Sequence, residues 1–462
     1  MSLKALFSAK DMTLGSPWKR IMEFSIPMLL GNLAQQLYNT ADSIIVGQYV
    51  GDLALAAVGS AMPILNLLLA LFVGISTGAG IVVSQSFGAK DRKGLTEAIG
   101  NCISMSFIAS LAIMVIGPLI TMPMLQLLGT PESIIYDCRD YLNIYFLGII
   151  GFFFYNMLSG ILRGLGDSVS ALGFLLLAAA LNVVLDLIFV KDMGVAGVAL
   201  ATIISQAISA VFCYIKLARM KDLFDLGLKG MKLLPNVAGR ILQIGIPSGV
   251  TQAIMATAGM VVLNLTNAMG ETVIACNVVV MRVDGFAMMP NFTFGQAMSV
   301  YTGQNVGAGK FDRVHKGTKQ GSIIAFIFSA AITFSLLFLG KYLFSLFTDT
   351  PELIDLACRM IRLMAVGYIC VSVTQVLGGV MRGAGDTVSP MWISMISTIA
   401  IRIPVAYGLA WLTRSEAFPH GQPSALFGSL MFSWAMGMVM TIVVYAAGKW
   451  KKKMYASHMD LE

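Results

Sequence analysis

Four blocks of this sequence return, in order and in register, 219 or 220 residues downstream. Gln85, Gly88 and Ala89 of SQSFGAK return as Gln304, Gly307 and Ala308 of TGQNVGAGK. Arg163, Gly164, Gly166 and Asp167 return as Arg382, Gly383, Gly385 and Asp386. Thr130-Pro131-Glu132 and Cys138-Arg139 return as Thr350-Pro351-Glu352 and Cys358-Arg359, and Pro27 is matched by Pro247. Regular self-similarity of this kind marks an internal duplication. The chain must therefore build one unit twice.

Each copy contains six apolar runs long enough to cross a bilayer, which takes about 20 helical residues. Of the 462 residues 57% are hydrophobic and 12% charged, with a mean hydropathy of +0.80. A soluble domain carries about 25% charged residues. The expected fold is an all-α membrane protein of twelve transmembrane helices in two pseudo-symmetric six-helix bundles. Six is even, so both copies enter the membrane from one side, as in parallel-repeat transporters. The expected division is an N-terminal bundle at 1–218, a linker at 219–239 and a C-terminal bundle at 240–462. Most of the 31 Lys and Arg fall in alternate loops. The positive-inside rule then puts both termini in the cytoplasm of a multi-pass cell-membrane protein. The net charge of +7 lies in short loops and does not point to nucleic acid. The six cysteines show no metal-ligand spacing and read as small packing residues. No HExxH, GxSxG or Walker motif points to an enzyme.

The first span, Ile21–Tyr49, carries an aspartate. A charge within the bilayer costs roughly 2.5–3.5 kcal/mol on insertion scales, so Asp42 is expected to face protein or water. Asp186 in span 5 lies at a similar depth, about five residues from the outer end. Asn182 is one turn deeper on the same face, and Thr202 in span 6 is level with them. Two carboxylates, an amide and a hydroxyl at one depth form an oxygen-rich cage. It could bind Na⁺ through oxygen ligands, making Asp42, Asn182, Asp186 and Thr202 a metal site. It could equally hold a proton, or be a structural hydrogen-bond network.

The second half lacks these acids: the repeat aligns Asp42 with Val262 and Asp186 with Val405. It has instead Arg282 and Asp284 in span 8 and Arg402 in span 11, a candidate substrate or coupling network. Arg282 is expected near mid-membrane with an ion partner on another helix, because i,i+2 spacing separates it from Asp284. Pro27 is expected to kink span 1 and serve as a hinge. Ser76–Gly80–Ser84 and Gly295–Ser299–Gly303 have the small-xxx-small spacing that allows close helix approach. The two RG-x-GD stretches read as turns in which Arg and Asp tie the loop.

At this point the chain resembles the multidrug and toxic compound extrusion (MATE) transporters over nearly its whole length. The resemblance rests on NTADSIIVGQYVG in span 1, LNVVLDLIFV in span 5, SQSFGAK, TGQNVGAGK and the two RG-x-GD turns. It implies a V-shaped pair of bundles that rock between outward-open and inward-open states. It implies export of small amphipathic organic cations or drugs in exchange for H⁺ or Na⁺, with no cofactor beyond that ion. A monomer in contact with membrane lipid is expected. The family's first-half cation site falls on Asp42, Asn182, Asp186 and Thr202, and its span 1 proline on Pro27, as in the DinF-like branch. The span 7 and span 10 acids of the NorM-like branch have no counterpart here. A flippase for lipid or lipid-linked oligosaccharide on the same scaffold is the alternative.

Overall fold

The computed structural model describes residues 8–227 and 232–459, with no β-strand among them. The N-terminal half runs α1 (Pro17–Tyr49), α2 (Asp52–Gly88), α3 (Arg92–Leu127), α4 (Ile135–Leu147), α5 (Ile149–Gly164), α6 (Ser168–Met193) and α7 (Val195–Ala218). The C-terminal half runs α8 (Pro235–Ala268), α9 (Glu271–Gly307), α10 (Phe311–Ser345), α11 (Pro351–Gly383) and α12 (Val388–Met395). A π-helical turn, Ile396–Ile401, joins α12 to α13 (Arg402–Leu412), and α14 (Ser424–Ala447) and α15 (Lys449–Met459) follow.

Ten helices are long and apolar enough to cross a membrane, and α4 with α5 makes an eleventh span bent by 54°. The twelfth is α1, which is as long but more polar, with Asn32, Gln35, Gln36, Asn39 and Asp42 along its course. The expected twelve-span, all-helical fold is therefore present. Two spans differ from the straight rods that the apolar runs suggested. Span 4 breaks at Gly148, where a Cβ would collide with the Ile203 side chain of α7. Span 11 is interrupted by the π turn, whose wider spacing is often found at functional sites.

The chain divides into two compact units. One holds Ile26–Gly249 and the other holds Met12–Ser25 with Val250–Asp460. Each has its own apolar core, one around Phe146, Leu158 and Leu162, the other around Phe344, Met364 and Tyr368. The division falls inside α1 and α8, next to Pro27 and Pro247 respectively. A proline in a helix removes one ladder hydrogen bond and weakens the rod at that turn.

Met12–Ser25 is held to the C-terminal unit by specific bonds. Gln304 Oε1 accepts from Met12 N at 2.8 Å. Arg313 donates to the carbonyls of Gly15 at 2.6 Å, Met12 at 3.0 Å and Leu14 at 3.2 Å. Its Nε donates to Asn305 at 3.0 Å. Hydrogen bonds to a charged group contribute about 1.5–3 kcal/mol when buried, and Arg313 is half-buried. Arg313→Ala is therefore expected to cost about 2 kcal/mol, read as a lower thermal midpoint in detergent. Arg313→Lys should recover only part of it, since an ammonium cannot reproduce the guanidinium fork.

The RG-x-GD turns work differently from the expected Arg–Asp tie. In each, the aspartate caps the following helix. Asp167 accepts from Ser170 N at 2.9 Å and Ser170 Oγ at 2.7 Å. Asp386 accepts from Ser389 N at 3.2 Å and Ser389 Oγ at 2.6 Å. An N-cap acceptor satisfies an otherwise orphaned backbone N–H. The glycine before each aspartate has φ of 81° and 92°, the left-handed region only glycine enters freely.

Candidate functional site

The four residues singled out in the N-terminal half meet. Asn182 Nδ2 donates to Asp42 Oδ1 at 2.7 Å and to Asp186 Oδ2 at 3.0 Å, and Asn182 Oδ1 accepts from Thr202 N at 3.2 Å. The opposite amide orientation would set its oxygen against both carboxylates, so the hydrogen-bond pattern fixes this one. Thr202 Oγ1 donates to Val198 O at 3.0 Å, back into its own helix. Asn182 and Asp186 are both 0% exposed, so neither can turn to solvent for a partner.

Asp42 and Asp186 share the Asn182 amide as a donor, which sets the two carboxyl groups side by side. Two carboxylates held on one donor repel each other, and a proton on one or a cation beside them relieves that. Asp186 Oδ1 has no hydrogen-bond partner among the described residues. Neither acid forms an ion pair with a basic side chain among those residues. The cluster is thus a buried acid, Asp186, beside a half-buried one, Asp42, with no ion-pair partner among the described residues. Its oxygens suit Na⁺, and they equally suit a proton.

Sequence reasoning missed the tyrosines. Tyr38 sits one turn before Asp42; on α4, Tyr141 lies close enough to feel both acids and Tyr145 close enough to feel Asp42. The i,i+4 spacing of Tyr38 and Asp42 was the available signal. Tyr141 and Tyr145 gave none, because only the fold brings α4 there.

In the C-terminal unit the candidate network is only partly assembled. Asp284 and Arg402 line one cavity of about 420 Å³. Tyr368 Oη donates to Asp284 Oδ1 at 2.9 Å. Arg282 does not join them. It is exposed and lies outside that lining, which corrects the expectation of a buried ion partner. The reason is helical: two residues from Asp284, it faces nearly the opposite way. Pro27 lies one residue inside the unit boundary, fifteen residues from Asp42 and outside the cluster.

The helix-packing rows are also placed. Ser76 Oγ donates to Asn156 O at 2.9 Å. A Cβ on Gly164 would come within 2.6 Å of Gly80 O, so α2 and α5 touch through small residues. The second copy repeats this, with Gly295 against Gln375 and Gly379, and Ser299 against Gly383.

The family model MatE matches the chain twice, over 27–188 and 247–408. The two matches are offset by 220 residues, the spacing of the sequence repeat. The probable multidrug resistance protein YpnP of Bacillus subtilis is 30% identical over 446 residues, covering 96% of this chain and 98% of that protein. The probable multidrug resistance protein YoeA of the same species is 27% identical over 449 residues, 95% of each. A crystal structure of MATE in complex with MaL6 superposes with a TM-score of 0.87 at 23% identity, covering 99% of both chains. The chain belongs to the MatE family: it is a membrane transporter of the twelve-helix MATE fold, and not an enzyme.

Proposed function

We propose that this protein is a secondary antiporter of the cell membrane, with both termini cytoplasmic. It exports small amphipathic organic cations or drugs in exchange for H⁺ or Na⁺. The observation that carries this reading is the Asp42–Asn182–Asp186 cluster, two acids on one amide donor with no ion-pair partner among the described residues. The names of the relatives, multidrug resistance proteins, point the same way. The position of the cluster in the first half suits the DinF-like branch.

In this reading an ion from outside enters the cluster and neutralises one acid. That lowers affinity for the bound organic cation or for the state that holds it. The cation leaves, the two halves exchange access, and the ion leaves inward. Coupling requires that ion and cargo differ in affinity for the two states. A potential of 100 mV supplies about 2.3 kcal/mol per charge moved inward. Weakening of α1 and α8 at Pro27 and Pro247 gives the change of access a place to occur.

The test is ethidium transport by the purified protein in sealed proteoliposomes, with H⁺ and Na⁺ gradients imposed separately. Movement driven by one gradient and absent without it is expected, and the effective gradient names the ion. Movement at the same rate with no opposing ion gradient would reject coupling. No movement above protein-free vesicles would reject ethidium-like cargo and favour the lipid flippase.

A further inference from the structure

The C-terminal cavity differs from the acidic cluster in the sign of its charge. Its walls come from α8, α9, α11, α12, the π turn, α13 and α14, all in the C-terminal unit. Three ionisable side chains line it: Arg382, Arg402 and Asp284. Two guanidiniums face one carboxylate, and that carboxylate already accepts from Tyr368. Even if Asp284 balanced one arginine fully, a positive charge would remain.

Neither arginine is tied down. Arg402 Nε is buried with no hydrogen-bond partner among the described residues. Neither guanidinium forms an ion pair there either. The duplication gives Arg382 different surroundings from its counterpart. Its counterpart Arg163 donates to Ser159 Oγ at 3.0 Å. The residue matching Ser159 in the second copy is Gly378, which lies against Arg382 Nη1. Loss of that hydroxyl leaves the guanidinium to the cavity. Arg402 and Asp284 replace Val183 and Leu65 of the first copy, so these two charges are specific to this half, while the Arg382 charge is common to both.

The rest of the lining is apolar and aromatic, with Met281, Met288, Phe292 and Trp434. Ser397 and Thr398 of the π turn add hydroxyls to the lining, the Ser397 hydroxyl donating to Ser394 O at 3.3 Å. A buried unpaired charge costs several kcal/mol, and an oxyanion with matched donors relieves it. An apolar cleft with a few convergent polar groups has the form of a small-molecule site.

We propose that this cavity binds a small amphipathic organic anion, its carboxylate held by Arg402 and Arg382 and its apolar body against Trp434 and the methionines. The site lies apart from the Asp42 cluster, and its test needs no transport, so it stands whether or not the antiport reading does.

The test is equilibrium binding to the full-length protein in phosphatidylcholine nanodiscs. The probes are three radiolabelled ligands of one shape: 1-naphthylacetate, its uncharged methyl ester and the cation 1-naphthylmethylamine. Saturable binding of the anion, at least tenfold tighter than either of the others, is expected. Arg402→Gln and Arg382→Gln should each weaken it at least tenfold, and Arg402→Lys should keep part of it. The comparison of the three probes on the unaltered protein decides the matter even if a glutamine variant does not fold. Absence of saturable anion binding, or equal binding of the three probes, would overturn the proposal. Anion binding unchanged in both folded glutamine variants would do the same.

Discussion

Cells carrying Asp42→Asn are expected to clear ethidium no faster than cells with an empty vector, with the protein still present in the membrane. Asp186→Asn should behave alike. Each substitution keeps the size and planar shape of the side chain and removes only its charge, so packing in the N-terminal unit is preserved. Asn182 donates to both acids and holds them side by side. With one acid made neutral, the other no longer needs a proton or a cation between them, and the free energy that links ion to cargo disappears. Coupling free energies of about 1–3 kcal/mol correspond to roughly 5- to 150-fold in affinity. Thr202→Val should have a smaller effect, because Thr202 bonds Asn182 and not the carboxyl groups themselves. Efflux by Asp42→Asn equal to that of the unaltered protein would remove the cluster from the mechanism. Efflux lost in Thr202→Val as completely as in Asp42→Asn would make the cluster a structural lock instead of an ion site.

That cluster is legible in the sequence because its members obey helical spacing within single spans. Asn182 and Asp186 share a face, and Asp42 sits at a matching depth. Depth along a helix can be counted in residues, and counting suffices. The C-terminal cavity is less legible for the same reason. The i,i+2 spacing of Arg282 and Asp284 already sets them on different faces, but spacing does not tell that Arg282 is exposed while Asp284 lines the cavity. Arg382 reads as part of a turn, and only packing of α11 beside α12, α13 and α14 puts its guanidinium against a cavity. The sequence does hold one sign of this, the exchange of Ser159 for Gly378 between copies. The bend at Gly148 and the π turn at Ile396–Ile401 leave no such sign, since an apolar run reads the same whether its helix is straight or broken.

The packing of α2 on α8 offers the second large effect: Gly78→Leu is expected to abolish recovery of folded protein. Gly74 and Gly78 face Gly245 and Gly249, within the N-terminal unit. A Cβ on Gly78 would stand 2.6 Å from Gly245 N, one on Gly245 2.6 Å from Ile75 Cα, and one on Gly249 2.8 Å from Leu71 Cα. Real Cβ atoms do not approach backbone so closely. Extra methylenes in a core cost about 1–3 kcal/mol when side chains can yield. Here the obstacle is main chain on both sides, so two helices must separate and the packing between them is lost. Without water to drive association, helices in a bilayer depend on this close packing. Gly78→Ala should already lower the thermal midpoint in detergent, and Gly78→Leu should leave no monodisperse peak on size-exclusion chromatography. Gly239→Ala, on the same α8 with nothing within 4 Å of the added methyl, is the matched control. It should be neutral or slightly stabilising, by up to about 1 kcal/mol, since alanine favours helix over glycine. A Gly78→Leu protein that elutes and melts like the unaltered one would mean that α2 and α8 are not in contact along this row.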